Sequence, residues 1–376
     1  LTTTAPTAGT GVWSQVSGPN TANILNPTSN STQVIGFITG TYVFRYTISN
    51  GTCTPKTDDV TVTVTPIPTQ AIVGADQFLC NANSTTLTGK RVFIGTGTWS
   101  VIEKPLTAPN PTFSDITDSN ATISGLVPGS PSVYKLRWTV SSGDCSSYDE
   151  LNITTWAPPT VSNAGTNQDL CYTTSFTLSG NTALVGSGQW TRVSGPNTPT
   201  ITSPTSATTT VTGATNGTYV YRWTISNGTV CIPSTSDVTI IIRAAITTSG
   251  PSDVAVCTGA QPTLTVTPSG GTGSYNYQWQ ESATGCSGPW TNVGLNSNTY
   301  QTAVLSATRY YNVIVTDAIN SCSPVTSSCA TVTVVADPTI ISTSPNRNIC
   351  KGGSTSLVVA ASGGTPTLTY QWQYFN

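Results

Sequence analysis

Ten cysteines carry the clearest chemistry in this 376-residue chain, and their spacing limits what that chemistry is. No Cys-x-x-Cys pair occurs, which argues against zinc knuckles and thioredoxin-like exchange. The chain has no His, so the commonest general base and metal ligand is missing. Only three Glu are present, and no paired carboxylates recur in phase. Neither a Gly-x-Ser-x-Gly elbow, a His-Glu-x-x-His pair nor a P-loop occurs, so the sequence reads as non-enzymatic, with no cofactor. What the cysteines can do is form disulfides, which places the chain in an oxidising compartment.

Eight of them fall into two series. Cys80, Cys171, Cys257 and Cys350 recur at steps close to 90 residues, and so do Cys53, Cys145, Cys231 and Cys322. Trp13, Trp99, Trp190, Trp279 and Trp372 keep the same phase. Three markers in one phase mean a repeat: each unit runs from a first-series Cys, through a Trp strand, to a second-series Cys. The boundaries follow as 1–66, 67–157, 158–244, 245–337 and 338–376, with the two end units incomplete. Cys53 then lacks an upstream partner and Cys350 a downstream one. Both are expected to be unpaired by truncation, the chain being a window on a longer polypeptide.

The elements that must position these residues are strands. Residues 60–64 (VTVTV), 42–48 (YVFRYTI), 219–225 (YVYRWTI) and 331–335 (TVTVV) alternate β-branched and aromatic residues with polar ones, between turn formers. Asn50-Gly51 and Asn227-Gly228 follow strands and should reverse them. Pro-containing joints close the units at 65–68, 157–160 and 336–339, with a short joint at 243–246. Such joints are semi-rigid. Several short strands per unit with one Trp and one disulfide is the pattern of an immunoglobulin-like β-sandwich. The expected fold is all-β, tandem sandwiches in an elongated array, on the order of 150 Å for five strand-lengths of about 10 residues.

Composition narrows the partners. Charged residues number 13 Lys plus Arg and 15 Asp plus Glu, 7% of the chain, while Ser and Thr number 116. A nucleic-acid binder needs a cationic surface, which a net charge of −2 does not supply. No apolar run approaches the roughly 20 residues that a membrane-spanning helix needs. Disorder is disfavoured because apolar residues alternate with polar ones throughout.

The runs at 95–100 (GTGTWS), 10–15 (TGVWSQ) and 186–191 (GSGQWT), the VSGPN at 16–20 and 193–197, and GTYVFRYTISNGTC and GTYVYRWTISNGTVC at 40–53 and 217–231 resemble the PKD-like repeats of very large Bacteroidota surface proteins. The unit from Cys257, with SGGTGSYNYQWQ at 269–280, SGPWTNV at 287–293 and ATRYYNVIVTD at 307–317, is similar to Ig-like domains associated with type IX secretion. The closing KGGSTSL and SGGTPTLTYQWQ repeat that second type. The resemblance covers nearly the whole chain. It implies tandem immunoglobulin-like (PKD-like) domains in a gliding-motility or attachment adhesin on the bacterial outer cell surface. The partners it implies are type IX secretion or motility machinery, with surface glycans or abiotic surfaces as targets. The competing reading is a carbohydrate-binding accessory region of a secreted polysaccharide-degrading enzyme.

Within this frame Cys80 is expected to pair with Cys145 and Cys171 with Cys231, closing loops worth on the order of 4 kcal/mol each. Cys257 aligns with the first series and Cys322 with the second, leaving Cys286 and Cys329 to pair, although four cysteines permit three connectivities. Free buried thiols are the alternative. Arg45, Arg137 and Arg222 recur inside the penultimate strand and are expected to meet Asp58 or Asp59, Asp149 and Asp237; the alternative is a ligand-facing row. The in-phase Trp residues read as core. Trp156, at a joint, and Trp290, in a Gly-Pro-Trp turn, are the candidates for an exposed binding platform or an interdomain wedge. Asp115 and Asp118 are weak candidates for calcium, and a polar loop accounts for them as well.

Overall fold

The computed structural model describes residues 1–364 and 367–374; residues 365–366 of the closing motif and 375–376 lie outside. Among the described residues every regular element is a strand. The reason is visible in the longest of them. Along Ser132–Ser142 the alternate residues Tyr134, Leu136, Trp138 and Val140 are fully buried, while Lys135, Arg137 and Thr139 on the other face are half-buried. A two-residue period fits a pleated strand with one face in a core.

That strand lies at the centre of the second sandwich, in a four-stranded sheet ordered Gln77–Cys80, Cys145–Trp156, Ser132–Ser142 and Thr96–Glu103. A three-stranded sheet of Ser84–Thr86, Thr122–Ser124 and Thr112–Phe113 completes the sandwich. The third repeats this plan with Gln168–Cys171, Ser234–Arg243, Gly217–Ser226 and Ser187–Ser194 beside Ser175–Ser179, Thr208–Thr212 and Thr200–Ile201. The first has Thr10–Ser17, Gly40–Ser49 and Lys56–Val64 with a small Asn23–Ile24 and Val34–Ile35 pair. The fourth orders Val254–Cys257, Ala330–Val335, Arg309–Asp317, Tyr275–Ser282 and Thr291–Val293. Beyond it, Thr339–Thr343 pairs with Val359–Ser362 in one hairpin.

The chain divides into two compact units. One comprises Leu1–Val161 with Ala183–Ser187 and Ile225–Ser234, and the other holds the remaining described residues.

In the second, third and fourth sandwiches the first strand runs parallel to the last. Cys80 stands opposite Trp156, Cys171 opposite Arg243 and Cys257 opposite Val335. Each first-series cysteine therefore sits at the finishing end of the last strand. The second-series cysteines sit at or before its beginning: Cys145 opens its strand, and Cys231 precedes Ser234 by three residues. The Asn-Gly pairs do reverse the chain there, but within loops longer than a two-residue hairpin. Strands end at Ser49 and Ser226 and resume at Lys56 and Ser234, because the loop must also carry Cys53 or Cys231.

Two recurring motifs acquire physical meanings. Gly97 precedes Trp99 by two residues, and the Trp138 ring from the neighbouring strand lies so close that a Cβ on Gly97 would approach it to 2.1 Å. Gly188 stands in the same relation to Trp223, so both Gly-x-Trp motifs leave room for a second aromatic ring. The ring pairs are Trp99 with Trp138 at 5.1 Å and Trp190 with Trp223 at 5.0 Å. The asparagine of each VSGPN accepts a hydrogen bond from the tyrosine hydroxyl of the GTYV strand, Tyr42 to Asn20 and Tyr219 to Asn197. Its amide group donates to Gly36 or Gly213. This clamp ties a loop to the buried tyrosine.

Because Trp138 is fully buried and cannot swing away, Gly97→Ala is expected to destabilise the second sandwich by about 1–3 kcal/mol, the cost of overpacking. The neighbouring exposed Thr96→Ala should stay within about 0.5 kcal/mol of wild type in the same urea titration.

Candidate functional site

The cysteines meet where one sandwich gives way to the next. A 12-residue strand, Cys145–Trp156, separates the two cysteine positions of the second sandwich, which is about 36 Å at 3.3 Å per residue. A disulfide needs Cα atoms within about 7 Å. The expected pairs Cys80 with Cys145, Cys171 with Cys231 and Cys257 with Cys322 are therefore corrected. Cys80 bonds to Cys231 and Cys171 to Cys322, each across 151 residues, with Cα separations of 5.1 and 5.3 Å. Each bridge joins the finishing end of one sandwich to the strand-joining loop of the next. Cys286 bonds to Cys329 inside the fourth sandwich. Cys145 and Cys257, expected in bridges, are free, as are Cys53 and Cys350.

Around Cys231 the joint is closely packed. Asn227 donates through Nδ2 to the Gly129 and Ala157 carbonyls at 3.1 and 2.7 Å. Gly228, with φ +70°, lies under the Trp156 indole, where a Cβ would come within 2.5 Å of Nε1. Trp156 also packs against Phe78, with ring centroids 6.2 Å apart. Trp156 is thus half-buried as a wedge at the joint. Trp290 is half-buried beside Gly288. Cys145 lies next to Thr65 at the preceding joint, the place that Cys231 takes beside Ala157.

Around Cys322 the arrangement is ionic. Arg243 and Asp169 form a two-point pair at 2.8 and 2.9 Å, and the guanidinium holds Asp169 below the usual carboxylate range. Asp317 organises the loop that carries Cys322. Burial pushes its carboxyl up, but hydrogen bonds from the Asn320, Thr272 and Ile319 backbone and the Thr272 hydroxyl outweigh this and hold it well below the usual range. A cavity of about 280 Å³ borders the bridge, lined by Tyr172, Ala244, Ile246 and Val325 among others.

Other expected sites resolve into structural roles. Arg45 pairs with Asp59 and Arg222 with Asp237, each directly opposed or nearly so across the last two strands. Arg137 is a correction: it pairs with Glu150, which the register places opposite it, while Asp149 accepts from the Val73 amide. Trp13, Trp99, Trp190 and Trp279 are buried. Trp372 is exposed, in a stretch where the described residues form one hairpin and no facing sheet. Asp115 accepts from the Thr117 amide and hydroxyl and Asp118 from the Asn120 amide, so their oxygens close local turns. Trp138, Trp223 and the VSGPN asparagines escaped the sequence reading as site-builders; the aromatic that follows each strand Arg was the available signal.

Non-reducing peptide mapping is expected to recover Cys80 linked to Cys231 and Cys171 linked to Cys322, with four titratable thiols in the denatured, unreduced chain. Asp317, depressed in the folded state relative to about 3.9 unfolded, contributes stability that is present above about pH 4 and lost as pH falls through its folded value. Amide exchange in Arg309–Asp317 should accelerate on acidification below pH 4. Asp317→Asn should be faster already at pH 7 and change less with acid.

Residues 6–64 and 164–242 match a family described as a PKD domain, and residues 244–336 match a domain of unknown function, DUF8696. No curated protein matches the chain. Among solved structures, an I-band fragment of titin is 11% identical, with 72% of this chain and 99% of that one covered at a TM-score of 0.45. The first four immunoglobulin domains of Sidekick-1 are 14% identical over 86% and 90%, at 0.34. The PKD domain from KIAA 1837 protein is 30% identical over 24% and 91%, at 0.21. With its paired sheets, its repeated motifs and the two PKD-domain matches, the chain is a tandem series of PKD-like and immunoglobulin-like β-sandwiches.

Proposed function

We propose that this chain is a non-catalytic segment of a large secreted bacterial adhesin of the Bacteroidota type, displayed on the outer cell surface and acting as a disulfide-stapled stalk for attachment or gliding. The observation that carries the reading is that two disulfides cross from one sandwich to the next. Bridges of this kind belong to an oxidising, extracellular setting, and they hold neighbours together where a globular enzyme would gain nothing. The low charge and the abundance of Ser and Thr suit an exposed polymer with few trypsin sites. Export by type IX machinery, and glycans or abiotic surfaces as targets, follow from the resemblance of the repeat motifs. The divisions at 66/67, 157/158, 244/245 and 337/338 form part of the same proposal. The carbohydrate-binding alternative loses support because four of the five in-phase Trp rings are buried and form no stacking platform.

Fab fragments raised against residues 67–243 are expected to label intact cells of the source organism and to lower their attachment to glass. Labelling only after permeabilisation would overturn the surface reading, and undiminished attachment the adhesin reading. Saturable binding of the intact chain to one glycan class on an array would favour the accessory-region alternative.

A further inference from the structure

Each sandwich in the middle of the chain is entered and left by two covalent routes, and the routes are short. The third sandwich is joined to the second through the backbone at Ala157 and through Cys231, bonded to Cys80. It is joined to the fourth through the backbone after Arg243 and through Cys171, bonded to Cys322. From Ala157 to Cys171 the chain is 14 residues long, and from Cys231 to Arg243 it is 12. Both segments already contain extended strand, Gln168–Cys171 and Ser234–Arg243, lying side by side in parallel register.

The geometry points to a mechanical function: the staggered disulfides turn the first and last strands of successive sandwiches into two covalent rails that carry tension past the rest of each domain. Fully extended, 14 residues span at most about 50 Å. The folded last strand with its loop already covers about 36 to 40 Å at 3.3 Å per residue. Unfolding the third sandwich would therefore lengthen the chain by roughly 10 Å, whereas the same event without bridges would release over 80 residues. The second sandwich is locked through 67–80 by the Cys80–Cys231 bridge alone, and the fourth through 322–337 by Cys171–Cys322 alone. The first sandwich has no bridge and remains extensible. The spacing along the rails is regular: Cys53 to Cys80, Cys145 to Cys171, Cys231 to Cys257 and Cys322 to Cys350 are 27, 26, 26 and 28 residues. This inference concerns what the bridges do under load, and it stands or falls apart from the adhesin reading.

Single-molecule stretching of the full chain, tethered at its two ends, tests it. In oxidising buffer the first sandwich should give a long unfolding step, on the order of 200 Å, and the second, third and fourth should give none of that class. Reductant should restore long steps for all of them, the fourth included. The paired Cys80→Ser and Cys231→Ser variant should free the second sandwich and leave the third locked. The paired Cys171→Ser and Cys322→Ser variant should free the fourth, its step shortened by the 43-residue separation that Cys286–Cys329 closes, and again leave the third locked. Only all four substitutions together should free the third. Long steps from the second and third sandwiches in the oxidised wild type would overturn the inference, as would release of the third by either pair alone. The first-sandwich step in every trace shows that the tethered molecule is folded.

Discussion

Parallel pairing of a short first strand with the end of a long last strand governs most of what this chain can do. It places the first-series cysteine at one end of each sandwich and leaves the second-series cysteine at the other, a full strand away. Since a disulfide tolerates only a few ångströms of mismatch, neither cysteine can be satisfied at home. Each finds its partner across a joint, where the end of one sandwich meets the loop of the next. The wedge of Trp156 beneath Gly228 and the Arg243–Asp169 pair occupy the same joints. Apolar packing, ion pairing and covalent bonding thus converge on the places where tandem domains are ordinarily loosest.

A chain so poor in charge and so rich in hydroxyls holds each sandwich together by concentrating its aromatic residues. The Trp99–Trp138 and Trp190–Trp223 pairs span neighbouring strands, and the glycines two residues before Trp99 and Trp190 let the partner ring lie flat against backbone. The tyrosine–asparagine clamps secure the loops above these cores. The exposed Arg–carboxylate pairs recur because the hairpin register repeats; their side chains are too solvated for charge alone to explain their persistence.

Much of this was legible in the sequence. The period-two runs predicted the strands, the phase of Cys and Trp predicted the repeat, and Arg45 with Asp59 and Arg222 with Asp237 were predictable from a constant hairpin offset. Arg137 broke the pattern because Ser142 and Cys145 close a shorter turn, which shifts the register by one residue and brings Glu150 opposite. The disulfide pairing was not legible from phase alone. Two series with one period are consistent with pairing inside a repeat or between repeats, and the choice depends on which end of the sheet each cysteine occupies. That is a property of strand direction and length, which spacing between like residues does not encode. Trp156 was legible as a wedge candidate only because it falls outside the Trp phase and beside a proline joint.

Folding stability does not account for where the bridges are. In the loop-closure treatment, moving a bridge from a loop of about 60 residues to one of about 151 changes its entropic effect by (3/2)RT ln of the ratio, on the order of 0.8 kcal/mol. That is small beside the roughly 4 kcal/mol that either arrangement would contribute. Thermodynamically the two pairings are near neighbours; mechanically they are opposites. A bridge within a sandwich hides length inside one domain and leaves each joint with a single backbone connection. A bridge between sandwiches doubles that connection and bypasses the domain interior. A structure that adopts the second pattern at successive joints, with the same 151-residue separation each time, is organised around continuity of the covalent path from one repeat to the next, and the sandwiches serve to hold the strands of that path in place.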